Sequence, residues 1–142
     1  MAEDDEAATN LSGVWFGEYW YGGGANRTSF AAHLLETAGA LTGTTLELVA
    51  FLAAGELSAV LTGSRDASDV SFTKVYDEAS RLNAEPVAYQ GVVDAGLQMI
   101  GGHWRLLGIS SLTGGFLMRR VSSSRRAVKR ELAEALSATR QT

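Results

Sequence analysis

The chain contains no cysteine, and this absence removes several classes of function at once. Without thiols there is no disulfide framework, no thiolate metal site and no cysteine nucleophile. Histidine is scarce as well, because only His33 and His103 occur, and two imidazoles are little material for a metal site. The sequence therefore predicts no bound metal and no other cofactor.

Long apolar runs are also missing. The most apolar stretch, residues 46–54, contains Glu47 and is far shorter than the roughly 20 residues that a membrane helix needs. The first residues, Met-Ala-Glu-Asp-Asp-Glu, are the opposite of the basic start of a secretory signal. We therefore expect a cytoplasmic protein without a membrane span.

Charge is unevenly distributed along the chain. Residues 1–10 carry four acids and no base, residues 11–118 carry ten acids and five bases, and residues 119–142 carry seven bases and two acids. An acidic body repels phosphate, whereas a basic tail is commonly a solvated helix face. The pattern disfavours nucleic acid as a partner.

Alternation of apolar and polar residues is the main structural signal. With 142 residues, of which 46% are hydrophobic, the chain fits a single globular domain. Turn-forming clusters separate segments that alternate with the period of a β-strand. The segments predicted as strands are residues 11–21, 28–36, 41–50, 56–63, 70–76, 87–93, 97–107 and 116–121.

Eight short strands with no helix between them predict an all-β fold, an antiparallel up-and-down meander that closes into a barrel. We expect this barrel to span residues 11–121, after an acidic disordered arm at residues 1–10. Residues 122–142 are expected to form one basic C-terminal helix, because Val128, Leu132 and Leu136 recur at helical spacing.

The first strand places Gly13, Trp15, Gly17, Tyr19 and Tyr21 on one face. That face is expected to line the barrel, with its later residues towards a cavity. Other large aromatics on predicted inward faces would join them, although simple core filling is the competing interpretation. The candidate ligand-binding residues are Tyr19, Tyr21, Phe72, Tyr76, Tyr89 and Trp104.

The Gly13-Val14-Trp15 segment, the eight-stranded meander and the basic Arg120 at the end of the last strand together resemble the calycin superfamily. That superfamily includes lipocalins, fatty-acid-binding proteins and avidins, and the resemblance covers residues 11–121. It implies that Gly13, Trp15 and Arg120 close one end of the barrel, with the guanidinium stacked on the indole.

Within that superfamily, residues 39–44 and Trp104 are similar to avidin segments, and Trp104 matches a ligand-stacking tryptophan of that branch. The polar residues of biotin binders are replaced. Gly17 stands where they have an asparagine, and Gly114 with Gly115 stand where they have an aspartate. We therefore expect no biotin binding.

The opposite face of the first strand carries Phe16 and Trp20, interrupted by Glu18. An apolar patch that points outward usually marks an interface. Val128, Leu132 and Leu136 offer a matching apolar stripe. Packing of the C-terminal helix on its own barrel or on a second copy, in a homo-oligomer, would account for both features.

These features favour a non-catalytic binding protein whose barrel holds a small apolar or aromatic molecule, oriented by tyrosine hydroxyls and Arg105. A protein-interaction scaffold that uses the outer face of the first strand or the basic helix is the alternative. Two further hypotheses are a barrel isomerase or cyclase, and a haem binder with His33 or His103 as ligand. The sequence shows no catalytic motif, so it leaves enzyme function undecided but disfavoured.

Overall fold

The computed structural model describes residues 8–24, 26–48, 56–77, 85–108 and 111–121. These residues form eight strands, each antiparallel to the next, and the last strand pairs with the first. The strands are β1 (Gly13–Tyr21), β2 (Arg27–Thr37), β3 (Ala40–Leu48), β4 (Glu56–Asp66), β5 (Asp69–Tyr76), β6 (Val87–Val93), β7 (Met99–Leu106) and β8 (Thr113–Arg120). The predicted closed, up-and-down β-barrel is confirmed.

Two strand boundaries differ by three residues from those predicted, and the others differ by no more than two. β4 runs on to Asp66, past the predicted end at Gly63, because the chain reverses only at Ala67 and Ser68. β8 begins at Thr113 instead of at Phe116. Its glycines, Gly114 and Gly115, lie so close to tryptophans of β1 and β7 that a side chain at either position would overlap them. The predicted last strand began only after these two glycines, which would have placed them in a loop. In the structure they lie within the strand, where close packing requires glycine.

The interior follows the period-two alternation of the strands. Inward side chains of neighbouring strands form one continuous core, and the half of it around Trp15 is apolar. Large side chains that are fully buried there include Leu11, Trp15, Leu34, Leu41, Leu61, Ile100 and Met118. This packing supplies the apolar burial that stabilises the barrel.

The two ends of the barrel differ in their connections. At one end, here named the base, tight turns at residues 38–39 and 67–68 join adjacent strands. Both residues of the first turn have positive φ, 51° at Ala38 and 86° at Gly39, a conformation that matches the twist of antiparallel hairpins. The opposite end carries the longer connections. It is named the cluster end after the cluster of four side chains that meet there: Tyr19, Glu47, Lys74 and Tyr76.

Two predictions fall partly or wholly on residues outside the described ranges. These are the acidic arm, of which residues 1–7 are not described, and the C-terminal helix at residues 122–142. Asn10, which was assigned to the arm, takes part in the base: its backbone carbonyl accepts a hydrogen bond of 2.6 Å from Arg120. Asn10 is therefore part of the base.

Candidate functional site

The base holds its cation, the half-buried Arg120, among backbone carbonyls. Arg120 pairs with Trp15 across β8 and β1, and its guanidinium lies 4.8 Å over the indole ring. The guanidinium donates three hydrogen bonds, to the carbonyls of Leu97 (3.0 Å), Ser12 (2.7 Å) and Asn10 (2.6 Å). These hydrogen bonds join three separate chain segments at the same end of the barrel, as a structural closure of that end requires.

The Trp15 indole is paired in the same way. Its ring is fully buried, and its Nε1 donates a 2.9 Å hydrogen bond to the carbonyl of Leu11. Burial lowers the pKa of Arg120 from its usual value, but a guanidinium keeps its proton throughout the range in which proteins fold. Within the described part of the base, the polar groups of Arg120 and Trp15 are therefore paired with the protein's own backbone.

The cluster end buries an ion pair instead. Glu47 on β3 and Lys74 on β5 are 1% and 2% exposed, and the Lys74 Nζ lies 2.9 Å from the Glu47 Oε2. Their strands are separated by β4, on which Leu57 pairs with Glu47, Leu61 pairs with Lys74, and the small, buried Ala59 lies between these two positions. A larger side chain there would separate the two charged groups.

Two tyrosines complete the coordination of the Glu47 carboxylate. The Tyr19 hydroxyl donates to Oε1 at 2.8 Å, and the Tyr76 hydroxyl donates to Oε2 at 2.6 Å. With Lys74, the carboxylate thus accepts three hydrogen bonds. Burial, reinforced by the adjacent Glu47 charge, raises the pKa of Tyr19 and of Tyr76 well above its usual value, so both phenols keep their protons.

Lys74 is less completely paired than Glu47. Among the described residues Glu47 is its one hydrogen-bond acceptor, and aromatic rings surround the rest of the ammonium group. The distances from Nζ to the ring centroids are 4.9 Å for Tyr19, 5.7 Å for Phe30, 4.8 Å for Tyr76 and 5.2 Å for Tyr89. Burial lowers the pKa of Lys74, and the Glu47 charge opposes this effect without cancelling it.

Two further polar groups at the cluster end keep unused hydrogen-bonding capacity. The Thr45 hydroxyl is buried and makes no hydrogen bond within the described part of the chain. Tyr89 is 3% exposed, and its ring stacks on Phe72 at 4.9 Å, but none of the described residues hydrogen-bonds to its hydroxyl. A buried polar group without a partner is costly, which makes the Thr45 hydroxyl a candidate anchor for a bound molecule.

The six predicted ligand-binding residues all lie on inward faces of the barrel, except that Tyr21 stands at the edge of the cluster end and is 51% exposed. The Tyr21 ring meets Trp104 edge to face at 4.8 Å. Trp104 uses its indole N–H on two backbone carbonyls, those of Trp20 and Gly115, both at 3.1 Å. Its donor is therefore occupied, and its buried ring packs against Tyr19 as well as Tyr21.

Sequence reasoning missed Glu47, Lys74 and Thr45 as site residues. Their signal was present, because the alternation of β3 and β5 placed each of them on a face otherwise occupied by apolar or small residues. A single charged residue on such a face is consistent with two arrangements: its side chain reaches solvent at the edge of the barrel, or it is buried against a side chain of opposite charge. Only the register of β3, β4 and β5 shows that the two charges meet.

The predicted outer patch is partly covered. Phe16 and Trp20 point outward and are half-buried. The Arg119 guanidinium lies 5.9 Å from the Phe16 ring centroid, and that of Arg27 lies 4.2 Å over Trp20 while bonding Glu18 at 2.6 Å. Val128, Leu132 and Leu136, the other half of the predicted interface, lie outside the described residues.

The remaining polar candidates point away from the interior. His33, His103 and Arg105 are all exposed on the outer wall. Strand alternation turns these side chains outward, so neither histidine is placed to ligate a haem enclosed by the barrel, and Arg105 is not placed to orient an enclosed ligand. In the described ranges no group of three or more histidine and acidic side chains could hold a metal ion.

Gly17, which stands where biotin binders have an asparagine, is closely surrounded by core side chains. A Cβ atom at Gly17 would lie 2.5 Å from the Phe30 Cζ and 2.9 Å from the Met118 Cγ. An asparagine would not fit there unless both side chains moved. Phe30 and Met118 are themselves part of the core, so the glycine is required by packing.

Comparison with protein-family models gives no match, and comparison with curated proteins gives none either. The closed eight-stranded barrel is compatible with a calycin-like fold, which therefore stays a structural resemblance. Over the residues described, no helix has the length and hydropathy of a membrane span.

Proposed function

We propose that the protein is a non-catalytic binding protein, and that its cluster end holds a small, neutral, apolar or aromatic molecule. One observation carries the proposal: the buried Glu47–Lys74 pair, capped by Tyr19 and Tyr76. A buried ion pair is rarely retained for stability, since well-packed apolar residues of the same volume serve at least as well. Its presence among mostly apolar buried side chains supports a functional role.

The base supports this interpretation by contrast. The same barrel neutralises Arg120 with three backbone carbonyls, which any sequence provides. At the cluster end, four side chains from three strands must be specified together. Such a requirement is typical of a binding site, in which an apolar wall is combined with a few placed polar groups.

The charges of the cluster indicate which ligands it suits. Glu47 and Lys74 already neutralise each other, so a ligand with a net charge would be buried without a counter-ion. A neutral molecule with one oxygen could accept a hydrogen bond from Lys74 or Tyr89, or bond the Thr45 hydroxyl. Its apolar body would contact Phe72, Tyr89 and Trp104.

The test uses three probes that share one ring system and differ in charge: naphthalenemethanol, naphthoate and naphthylmethylammonium. We expect naphthalenemethanol to bind and to quench or shift the intrinsic tryptophan fluorescence, and both charged probes to bind more weakly. Native mass spectrometry then establishes the stoichiometry. Failure of all three probes to bind, or equal binding by the charged probes, would contradict the proposal.

A second candidate function, a barrel isomerase, is favoured by one specific observation. Tyr19 and Tyr76 each place a phenol within hydrogen-bond distance of a buried carboxylate, as proton transfer to a bound carbonyl compound requires. Such an enzyme would exchange the α-hydrogens of β-tetralone for deuterium in heavy water. Tyr76→Phe should slow that exchange, and a rate equal to the uncatalysed one would eliminate this candidate.

A further inference from the structure

Lys74 is placed as a reactive amine would be. Its Nζ lies inside the barrel, 2.9 Å from one carboxylate oxygen and between 4.8 and 5.7 Å from the centroids of four aromatic rings. Lysine is otherwise almost absent from this chain: ten of its twelve basic residues are arginine, and the other lysine is Lys129. The one lysine of the barrel is therefore buried beside an acid, whereas each arginine that the structure describes is on the outer wall or at an end of the barrel.

Arginine would serve better in a merely structural pair. A guanidinium offers five donors to satisfy a carboxylate and neighbouring groups, whereas Lys74 uses one hydrogen bond to a described residue. What lysine offers instead is a primary amine. Desolvation of an amine among apolar groups lowers its pKa and activates it towards carbonyl compounds.

We propose that Lys74 forms a reversible imine with a neutral aldehyde or ketone that carries an apolar or aromatic body. The inference rests on the proposed function and specifies its ligand class. In the reaction the amine nitrogen bonds to the carbonyl carbon, the carbonyl oxygen leaves as water, and the nitrogen retains one proton. An ammonium and a carbonyl compound thus yield a protonated imine and one water molecule.

Charge conservation is the main physical argument for this step. The protonated imine carries the same single positive charge as the ammonium, and it remains beside the same Glu47 carboxylate. The bound complex then contains one buried ion pair, as the free protein does, so no additional charge is desolvated. During the addition Glu47 can accept the proton that the ammonium releases and return it to the departing oxygen.

The surrounding groups suit the product as well. Tyr19 and Tyr76 donate to Glu47 and so keep the counter-ion fixed, and their rings with that of Tyr89 face the cation. The titratable groups around Lys74 are Glu47 and the phenols of Tyr19, Tyr21, Tyr76 and Tyr89. Tyr19 and Tyr76 are half-buried, so they separate the amine from solvent on the side from which a ligand would approach.

The experiment traps the imine in the full-length protein. Naphthaldehyde is incubated with the protein at neutral pH, sodium cyanoborohydride reduces any imine to a stable secondary amine, and peptide mapping by mass spectrometry locates the adduct. We expect an adduct at Lys74 in higher yield than in the chain unfolded in urea, beside background labelling of the N-terminal amine and Lys129. Adducts confined to the N-terminal amine and Lys129, at the level of the unfolded chain in urea, would overturn the inference.

Two variants provide matched controls. Lys129→Arg removes the other lysine and should leave the adduct unchanged, whereas Lys74→Arg keeps the positive charge and should abolish it. If Lys74→Arg fails to fold, Lys74→Met with Glu47→Gln replaces it, since that double variant removes both charges together. An adduct of unchanged yield in the folded variant would also refute the assignment to Lys74.

A parallel titration with naphthalenemethanol separates this inference from the proposed function, since an alcohol cannot form an imine. Binding of the alcohol together with trapping of the aldehyde supports both. Binding of the alcohol without an adduct at Lys74 overturns the imine and leaves the binding site in place. If neither probe binds, the proposed function fails, and the imine fails with it.

Discussion

The base and the cluster end each hold one basic side chain against aromatic rings, half-buried at the base and fully buried at the cluster end, and they neutralise its charge in different ways. Arg120 donates to three backbone carbonyls and lies over one indole. Lys74 bonds one carboxylate and is surrounded by four rings. The first arrangement fastens the termini of the barrel to its wall, and the second concentrates mutually dependent side chains in the interior.

The two arrangements should therefore respond differently to substitution. Backbone carbonyls persist whatever residue is introduced, so a defect at the base has no compensating second substitution. At the cluster end the partner of each charge is itself a side chain, so removal of both charges should repair the damage caused by removal of one. The predictions that follow address this difference, beginning with the largest expected effect.

Trp15→Ala should be the most destabilising single change. The indole is fully buried, and its loss removes apolar contacts and the hydrogen bond to Leu11, which together predict a loss of about 3–5 kcal/mol in the free energy of unfolding. Urea denaturation measures the loss. Trp20→Ala on the outer face of the same strand is the matched control, and an equal loss there would show that the base is not special.

Lys74→Met alone should destabilise the protein by about 3 kcal/mol, because it leaves the Glu47 carboxylate buried without its counter-ion. Adding Glu47→Gln should restore stability to within about 1 kcal/mol of the starting protein, since both charges are then absent. The measurement is a double-mutant cycle in urea. Additive losses from the two substitutions would mean that the charges do not depend on each other.

Tyr76→Phe should cost about 1.5–2 kcal/mol, because it removes a hydrogen bond to a charged acceptor. Tyr89→Phe is the matched control on an adjacent strand, and it should change the free energy of unfolding little, since the described residues offer its hydroxyl no partner. Both are measured by urea denaturation. A larger loss for Tyr89→Phe than for Tyr76→Phe would contradict the hydrogen-bonding pattern of the cluster.

The smallest effect is expected from acidic pH, and it concerns the base. Although burial opposes it, the Arg65 guanidinium and the Leu11 amide lower the pKa of Glu36, and the amides of Gln98 and Met99 lower the pKa of Asp94. Both carboxyls ordinarily titrate near pH 4. A lowered pKa means that their contribution to stability is complete above that range and is lost as the pH falls through the folded-state pKa.

The urea midpoint should therefore decrease as the pH is lowered from 6 towards about 3, and Glu36→Gln should flatten the decrease. Lys74→Met with Glu47→Gln serves as the control from the other end, because it leaves the carboxyls of the base intact. An identical pH profile in Glu36→Gln and the unmodified protein would show that Glu36 contributes nothing to this dependence.

The barrel was predictable because its signals are local. Alternation and turn residues identify all eight strands, and the topology of a closed meander places the end of β8 beside the start of β1. The site was less predictable because it depends on contacts across strands. Glu47 and Lys74 are 27 residues apart in the chain and meet only through the register on β4.

Glycine was the other source of error. Gly114 and Gly115 have the composition of a loop, but the neighbouring tryptophans exclude any larger residue and the chain there is a strand. The outward direction of His33, His103 and Arg105, by contrast, follows from strand parity alone. The alternation of side chains along each strand was sufficient to predict which residues face outward and which face the interior. It was insufficient to predict which of the inward polar groups contact one another.

The most direct test compares naphthalenemethanol binding in two variants, one altered at each end: Lys74→Met with Glu47→Gln at the cluster end, and Trp15→Phe at the base. If the cluster end holds the ligand, the first variant loses about tenfold in affinity, the value of one hydrogen bond, and the second binds as the unmodified protein does. Unchanged affinity in the cluster variant, with weakened binding in the base variant, would contradict the assignment of function to the Glu47–Lys74 pair.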